Sequence, residues 1–422
     1  MNVSARVAGR PRLLGRGVPK ALDTRIGALE LSLCFYIVTL LSFKQGGFES
    51  VLCAGAFVLF AAVAFFEILG HTKVSIKYPL VYLTVLFWMF AISSYLWAES
   101  PASVLDTAGL KRALQIVVSV MLLCMVAQTR DRFSDTIQTV FIAACLISVV
   151  ILLAKVPISQ WGEERLGHDA TGVNANSLGV IMGLACTLCI MRLMDDARYG
   201  YVVPAVLLFV VVVFTGTRQA MLIPLMFIGI RLLLNISKAK TLVQFAVLAA
   251  AVLAIYGILV SDPFLYDVVG DRLEQLVNSA LGIEQATEHS IIERTQFREW
   301  AFTLFCTHPL AGIGYNGFAG WLGLIGYSTQ TTSHCNYTEV LSGLGLIGFL
   351  LFYAPYAIAG KHAWAKKDVP GMKSVLSMLV AMLVTQYAGE IITNIAYQIL
   401  FASLFLSAYG PFWRKKGMCA DA

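Results

Sequence analysis

Arg294 and Arg298 stand four residues apart, in a stretch whose apolar positions (Phe297, Trp300, Ala301, Leu304 and Phe305) recur at helical spacing. On a helix this spacing lets both guanidiniums address one anion, although it equally suits a solvated polar face paired with Glu293 or Glu299. Arg218 lies in Gly216-Thr217-Arg218-Gln219, between two very apolar runs. It is either a third fixed cation or an arginine that snorkels to anchor a helix end. Guanidinium donors match phosphate oxygens in forked geometry, so three such cations suit a lipid diphosphate. His334, in Thr332-Ser333-His334-Cys335-Asn336-Tyr337, has the side chain that exchanges a proton near neutral pH. That is the task needed to activate a sugar hydroxyl, though a histidine near a helix start also serves structural roles. His168, His289, His308 and Glu390 are further candidates on residue type alone.

The elements that position these residues follow from composition. Of 422 residues, 58% are apolar and 13% are charged, far from the ~25% charged of soluble domains. So much apolar surface cannot be buried in one water-soluble core, which makes lipid the solvent. Apolar runs near 26–43, 51–70, 79–98, 113–128, 136–154, 177–194, 201–215, 219–236, 241–260, 337–359, 374–390 and 393–410 predict about 12 transmembrane helices. Read as one helix, residues 201–236 would be about 54 Å long, so the run must break at its polar point, Gly216 to Gln219. The expected fold is all-α and polytopic, with one integral domain over 26–410. A basic segment, 1–25, precedes it, a short tail, 411–422, follows, and a large helical loop, 261–336, separates spans 9 and 10.

Charge orients the spans. With the N-terminus cytoplasmic, 22 of the 31 basic residues fall in inside segments and 9 outside, as the positive-inside rule requires. Residues 1–25 hold six basic residues and no apolar core, so the first span is expected to be a retained anchor. Both termini are then cytoplasmic, and loop 261–336 lies outside. Within that loop Leu273, Leu276, Val277, Ala280 and Leu281 form another amphipathic stretch. The glycine-rich run His308-Pro309-Leu310-Ala311-Gly312-Ile313-Gly314-Tyr315-Asn316-Gly317-Phe318 permits tight turns and close backbone approach. It matches no nucleotide-binding fingerprint and follows no strand. Asp195-Asp196 falls on the cytoplasmic side and no acidic pair suited to a metal lies outside, so no metal or other cofactor is expected. Cys186 and Cys189 sit mid-span without a second ligand pair; Cys306 and Cys335 can pair only if the segment they flank lies outside, and two free thiols are the favoured expectation.

An arginine in a short hairpin between spans, then a large outer loop, then a histidine at the next span resembles the O-antigen ligase/polymerase superfamily. The resemblance rests on Gly216 to Ala220, Arg294 to Trp300, His308 to Gly314, and Ser333 to Tyr337 running on to Gly345-Leu346-Ile347-Gly348. Gly172-Val173-Asn174-Ala175-Asn176 resembles the family's Asn-containing entry to a span, which adds Asn176 as a substrate-binding candidate. The resemblance spans roughly residues 170–350. It implies transfer of an undecaprenyl-diphosphate-linked oligosaccharide to a glycan acceptor on the outer face of the bacterial inner membrane. Arg218 and Arg294 would hold the diphosphate and His334 would activate the acceptor hydroxyl. Attack would be inverting and would need neither metal nor nucleotide sugar. Arg298 joins this set through helical spacing alone. Cys335 stands where an Asn commonly follows the His, Gly343 stands where a Glu often precedes the Gly, and Glu339 comes five residues after the His. This pattern is more similar to capsule or exopolysaccharide polymerases than to ligases that load lipid A-core. A chain-length regulator or flippase of the same pathway would be a partner; nucleic acid would not. A lipid-glycan flippase is the reading from another class, and it predicts charges buried through both halves of the bundle.

Overall fold

The computed structural model describes residues 27–43, 47–71, 74–156, 166, 174–235, 289–327 and 331–410, with scattered positions between 243 and 278. The expected termini 1–25 and 411–422, half of the run 241–260 and most of the amphipathic stretch 273–281 lie outside the described residues. In chain order the helices are α1 (Ala28–Ser42), α2 (Gly47–Leu69), α3 (Pro79–Ser93), α4 (Pro101–Val104), α5 (Thr107–Val126), α6 (Phe133–Lys155) and α7 (Ala175–Asp196). They continue as α8 (Val202–Phe214), α9 (Arg218–Leu233), α10 (His289–Thr307), α11 (Gly317–Leu324), α12 (Asn336–Ala365), α13 (Met372–Thr385) and α14 (Ile395–Tyr409). No strand occurs among the described residues. Among the described residues six segments are long and apolar enough to cross a bilayer: Ser50–Leu69, Pro79–Leu96, Pro101–Val126, Phe133–Lys155, Ala175–Asp196 and Asn336–Ala365. Four shorter apolar helices accompany them. The chain is an all-α membrane protein.

Helix α7 is the centre of the bundle, with every residue from Leu178 to Cys189 buried, as befits a helix that is apolar on all faces. The α8–α9 hairpin packs on it through two glycines. A Cβ on Gly179 would lie 2.6 Å from Thr215 Oγ1, and one on Gly183 would lie 2.7 Å from the Ala220 carbonyl oxygen. Small residues at such a seam let backbones approach where lipid gives no hydrophobic push. The hairpin turns at Gly216, whose φ of 60° is the left-handed conformation, and Thr217 Oγ1 donates to the Ala175 carbonyl at 3.2 Å. Arg218 is thereby fixed beside the start of α7.

The bundle has two distinct ends. At one, Arg130 pairs with Glu30 and Glu67, Arg192 with Asp135 at 3.2 Å, and Arg231 with Asp195 at 3.2 Å. Ser374, at the start of α13, also donates to Asp195 at 2.8 Å. These pairs cross-link the ends of α1, α2, α5, α6, α7, α9 and α13. The other end gathers the C-termini of α1, α6 and α13 with the N-termini of α7, α9, α12 and α14. Lys155 donates to the Ser42 carbonyl at 2.7 Å, and Asn394 Nδ2 donates to Ser177 Oγ at 2.8 Å. Nearly all the candidate site residues lie at this second end.

Helix boundaries depart from the apolar runs in two places that matter. The run at 113–128 belongs to a helix that starts at Thr107, because the Asp106 carboxylate accepts Gly109 N–H at 2.9 Å and Ala108 N–H at 3.3 Å. Lys111 and Arg112 are therefore helical rather than loop residues. The run at 374–390 ends as a helix at Thr385, so Glu390 sits in an irregular segment between α13 and α14. Buried Asn336 claims that segment: its Oδ1 accepts Ile391 N–H at 3.1 Å, and its Nδ2 donates to Gln386 Oε1 and Tyr353 OH, both at 3.0 Å.

Candidate active site

The glycine-rich run builds the platform under the site. Helix α12 breaks at Gly345, whose φ of 61° and ψ of −162° are not helical. Such a break frees backbone groups that must find partners away from water. The loop supplies them: Leu346 N–H donates to the Pro309 carbonyl at 2.8 Å and Ile347 N–H to that of Leu310 at 3.2 Å. In return Ile313 N–H donates to the Ser342 carbonyl at 2.9 Å and Gly314 N–H to that of Gly343 at 2.8 Å. A Cβ on Gly312 would sit 2.4 Å from Gly343 main-chain atoms, and one on Gly345 would sit 2.4 Å from those of Leu310. The two glycine motifs are thus halves of one main-chain joint. On its far side the loop is held by Glu99 N–H donating to the Ile313 carbonyl at 3.2 Å and by Tyr315 N–H donating to Ser94 Oγ at 2.8 Å.

His334 sits just before α12 with φ of 56°, a left-handed conformation that non-glycine residues hold only when neighbours over-determine it. The neighbours are visible. Ser333 N–H donates to buried Glu339 Oε2 at 2.7 Å, and Ser333 Oγ meets Thr338 Oγ1 at 3.0 Å and the Cys335 carbonyl at 3.1 Å. The imidazole stacks on fully buried Phe297 of α10, with centroids 6.1 Å apart and planes at 19°. Phe297, Ala301 and Leu304 bury the apolar stripe of α10 against Phe318, Leu322 and Ile313, and this packing delivers Arg294 and Arg298 to the histidine. Burial pushes the His334 pKa down from 6.5 to about 4; the positive charge of Arg294 adds to this, Glu293 opposes it and Arg298 adds a little more. The imidazole is therefore neutral at pH 7 and has a free lone pair to accept a proton.

A cavity of about 650 Å³ opens on His334. Its polar lining brings together Asn174, Asn176, Gln219, Asn316, Thr332, Asn394, Arg112 and Glu390, and Leu40, Leu41, Phe43, Leu178 and Ile395 give it an apolar wall. Asn176 and His334 thus share one chamber. The lining reaches Gln219, the residue after half-buried Arg218, and the buried Gln219 Oε1 has no hydrogen-bond partner among the described residues. Asn174 caps α7 by accepting Asn176 N–H at 2.9 Å and Ser177 N–H at 3.2 Å, so the Asn-containing entry is also the device that starts this helix here. Arg298 is held by Thr295 Oγ1, which its Nη2 reaches at 3.1 Å, and by the Tyr387 ring, 4.8 Å from its guanidinium carbon. Arg298 therefore links α10 to the irregular segment that carries Glu390.

Among the other candidates, His308 is exposed at the rim, 3.8 Å from Glu99. His168 and the side chain of His289 lie outside the described residues. Cys306 and Cys335 are free, and no group of three or more His, Cys, Asp or Glu placed to hold a metal occurs among the described residues. Arg112, Gln219, Asn316 and Asn394 are lining residues that the sequence reading did not select. The available signals were weak: a helix-capping Asp six residues before Arg112, and an Asn opening the last apolar run.

Residues 203–353 match the model of the O-antigen ligase family, which supports the superfamily that the motifs point to. The matched segment runs from α8 to the second half of α12 and includes Arg218, Arg294, Arg298, His334 and Glu339. Asn176, Arg112 and Glu390 fall outside it. No curated protein matches the chain.

Proposed function

We propose that this chain, a member of the O-antigen ligase/polymerase superfamily by its residues 203–353, polymerises lipid-linked repeat units at the His334 cavity. The donor is an oligosaccharide on undecaprenyl diphosphate and the acceptor is a sugar hydroxyl on a second glycan. The observation that carries this reading is a single chamber whose lining brings a neutral histidine, within the field of Arg294 and Arg298, together with carboxamides and apolar side chains. Carboxamides suit sugar hydroxyls, the apolar wall suits the first part of a lipid tail, and guanidiniums suit a diphosphate.

In the proposed step the acceptor oxygen attacks the anomeric carbon of the donor from the face opposite the diphosphate, and its proton passes to the His334 imidazole. The new C–O glycosidic bond forms as the bond from that carbon to the phosphate oxygen breaks. The electron pair leaves with the lipid diphosphate, whose growing charge Arg218 and Arg294 stabilise, with Arg298 beside them. Single displacement inverts the anomeric centre. An anion seated between the arginines also cancels much of their field at His334, so donor binding raises the basicity of the residue that must take the proton. The step uses neither metal nor nucleotide sugar. In this reading the cavity end faces outward and both termini are cytoplasmic, which is supported by Arg130, Arg192 and Arg231 at the opposite end, where the positive-inside rule expects basic residues.

A second reading is favoured by the description of the matched family, O-antigen ligase: transfer of the finished glycan to lipid A-core. The chemistry is the same and only the acceptor differs. Deletion in the native host separates them, through the glycans left on the carrier. Single repeat units support the polymerase; long carrier-linked chains with a bare core support the ligase; unchanged glycans refute both.

A further inference from the structure

Beside the His334 cavity, between α5, the glycine-rich loop and the start of α12, lies a smaller chamber of about 160 Å³, roughly a quarter of the larger one. The two share Arg112, Asn316, Thr332, Glu390 and Thr393, so they adjoin along a common wall. Asp106, Tyr315 and Glu339 complete the polar lining. This chamber lies outside the set of residues that the family resemblance assigns.

Its charge differs from that of the arginine side of the site. Three carboxyl groups stand beside one guanidinium, so this lining offers a diphosphate less positive charge than the arginine side does. The same groups suit a polyol, because carboxylates accept from hydroxyl donors while guanidinium and carboxamide N–H groups donate to hydroxyl and ring oxygens. Two of the carboxylates already have structural duties. Asp106 caps α5, and Glu339 accepts Ser333 N–H at 2.7 Å. Glu390 accepts from Thr393 N–H and Thr393 Oγ1, both at 3.4 Å, and from Ile392 N–H, with the Arg112 charge nearby. Its carboxyl group lines both chambers, so it can meet a ligand seated across them. Thr332, two residues before His334, lies on the wall common to both chambers. We propose that this chamber is the acceptor subsite, holding the sugar residue whose hydroxyl is deprotonated by His334, with Glu390, Arg112 and Thr332 as its specificity-determining contacts. The inference rests on the glycan-transfer reading and adds a division of labour to it: diphosphate on the α9 and α10 side, acceptor sugar on the α5 side.

The test uses the full-length protein in nanodiscs with a labelled undecaprenyl-diphosphate oligosaccharide as donor. The acceptor is the repeat-unit or core oligosaccharide as a phenyl glycoside, which lacks a diphosphate and so can only accept. Glu390→Gln and Thr332→Val are compared with wild type, each with a melting curve. Loss of one hydrogen bond to a sugar is expected to raise the acceptor KM about tenfold for Glu390→Gln, less for Thr332→Val, with the donor KM within about twofold of wild type. A rise in donor KM alone, or no change in either, overturns the subsite. If Glu390→Gln fails to fold, Thr332→Val decides, since it removes a hydroxyl at nearly constant shape. No transfer by the wild type to either glycoside defeats the glycan-transfer reading, and this inference with it.

Discussion

Replacing Arg294 by Gln is expected to make His334 a stronger base even as it weakens donor binding. In the folded protein the His334 pKa is pushed from 6.5 to about 4, with burial the largest cause, Arg294 next and Arg298 smaller, against an opposing pull from Glu293. Arg294 is the second cause after burial, so removing its charge raises the His334 pKa. The neutral imidazole is the working form, so in Arg294→Gln half-protonation moves upward from pH about 4. The measurement is a titration of ¹³Cε1-labelled histidine in nanodiscs without donor, with the His334→Gln spectrum identifying the resonance. Reading the pKa directly separates the charge effect from any loss of binding. Saturating the wild type with an undecaprenyl-diphosphate donor should move the same resonance in the same direction. A His334 pKa that stays put or falls in Arg294→Gln would refute the coupling between α10 and the histidine.

Other outcomes follow from the same geometry. Because His334 binds its proton more weakly folded than unfolded, it costs stability as pH falls from about 6.5 towards 4. His334→Gln should therefore lose less melting temperature than wild type between pH 7 and pH 4.5. Gly312→Ala places a Cβ 2.4 Å from Gly343 main-chain atoms at a φ of +66°, and should cost about 2–5 kcal/mol from left-handed strain and overpacking, read by thermal melting in detergent. Asn336→Ala strands Ile391 N–H, while Gln386 Oε1 and Tyr353 OH keep each other at 2.8 Å, and should cost about 1–3 kcal/mol and loosen the segment that carries Glu390, read by amide hydrogen exchange at 386–394. Gly179→Val forces α7 away from Thr215 and Thr217, and should weaken donor binding about tenfold or more by displacing Arg218 while leaving the His334 titration unchanged.

Composition and hydropathy sufficed for the all-α membrane architecture, because lipid forces every backbone group in a span to pair within its helix. The hairpin break at Gly216 was legible for a simple reason: no single helix of that length fits a bilayer. The turn of α10 that joins Arg294 to Arg298 followed from spacing, and the stripe at Phe297, Ala301 and Leu304 is indeed the buried one. Hydropathy failed where a helix continues through charged residues. Lys111 and Arg112 masked the first turns of α5, so a lining arginine was read as a loop cation. It failed again where an apolar run leaves the helix, at Gln386, because the buried hydrogen bonds of Asn336 come from a residue 50 positions away. The purpose of the glycines was also out of reach. Gly312 and Gly345 explain each other only once the loop is seen filling the break in α12.

The most direct test of the central claim is transfer by the purified protein in liposomes, supplied with undecaprenyl-diphosphate oligosaccharide and no added metal or nucleotide, with products resolved on a gel beside His334→Ala. The account predicts a ladder of multiples of the repeat unit from wild type, absent from a His334→Ala variant that still binds donor. An undiminished ladder from His334→Ala would contradict the assignment of the base. If the wild type makes no ladder, even with lipid A-core added, but moves the intact donor across the bilayer, the protein is a carrier of lipid-linked glycans and not a transferase.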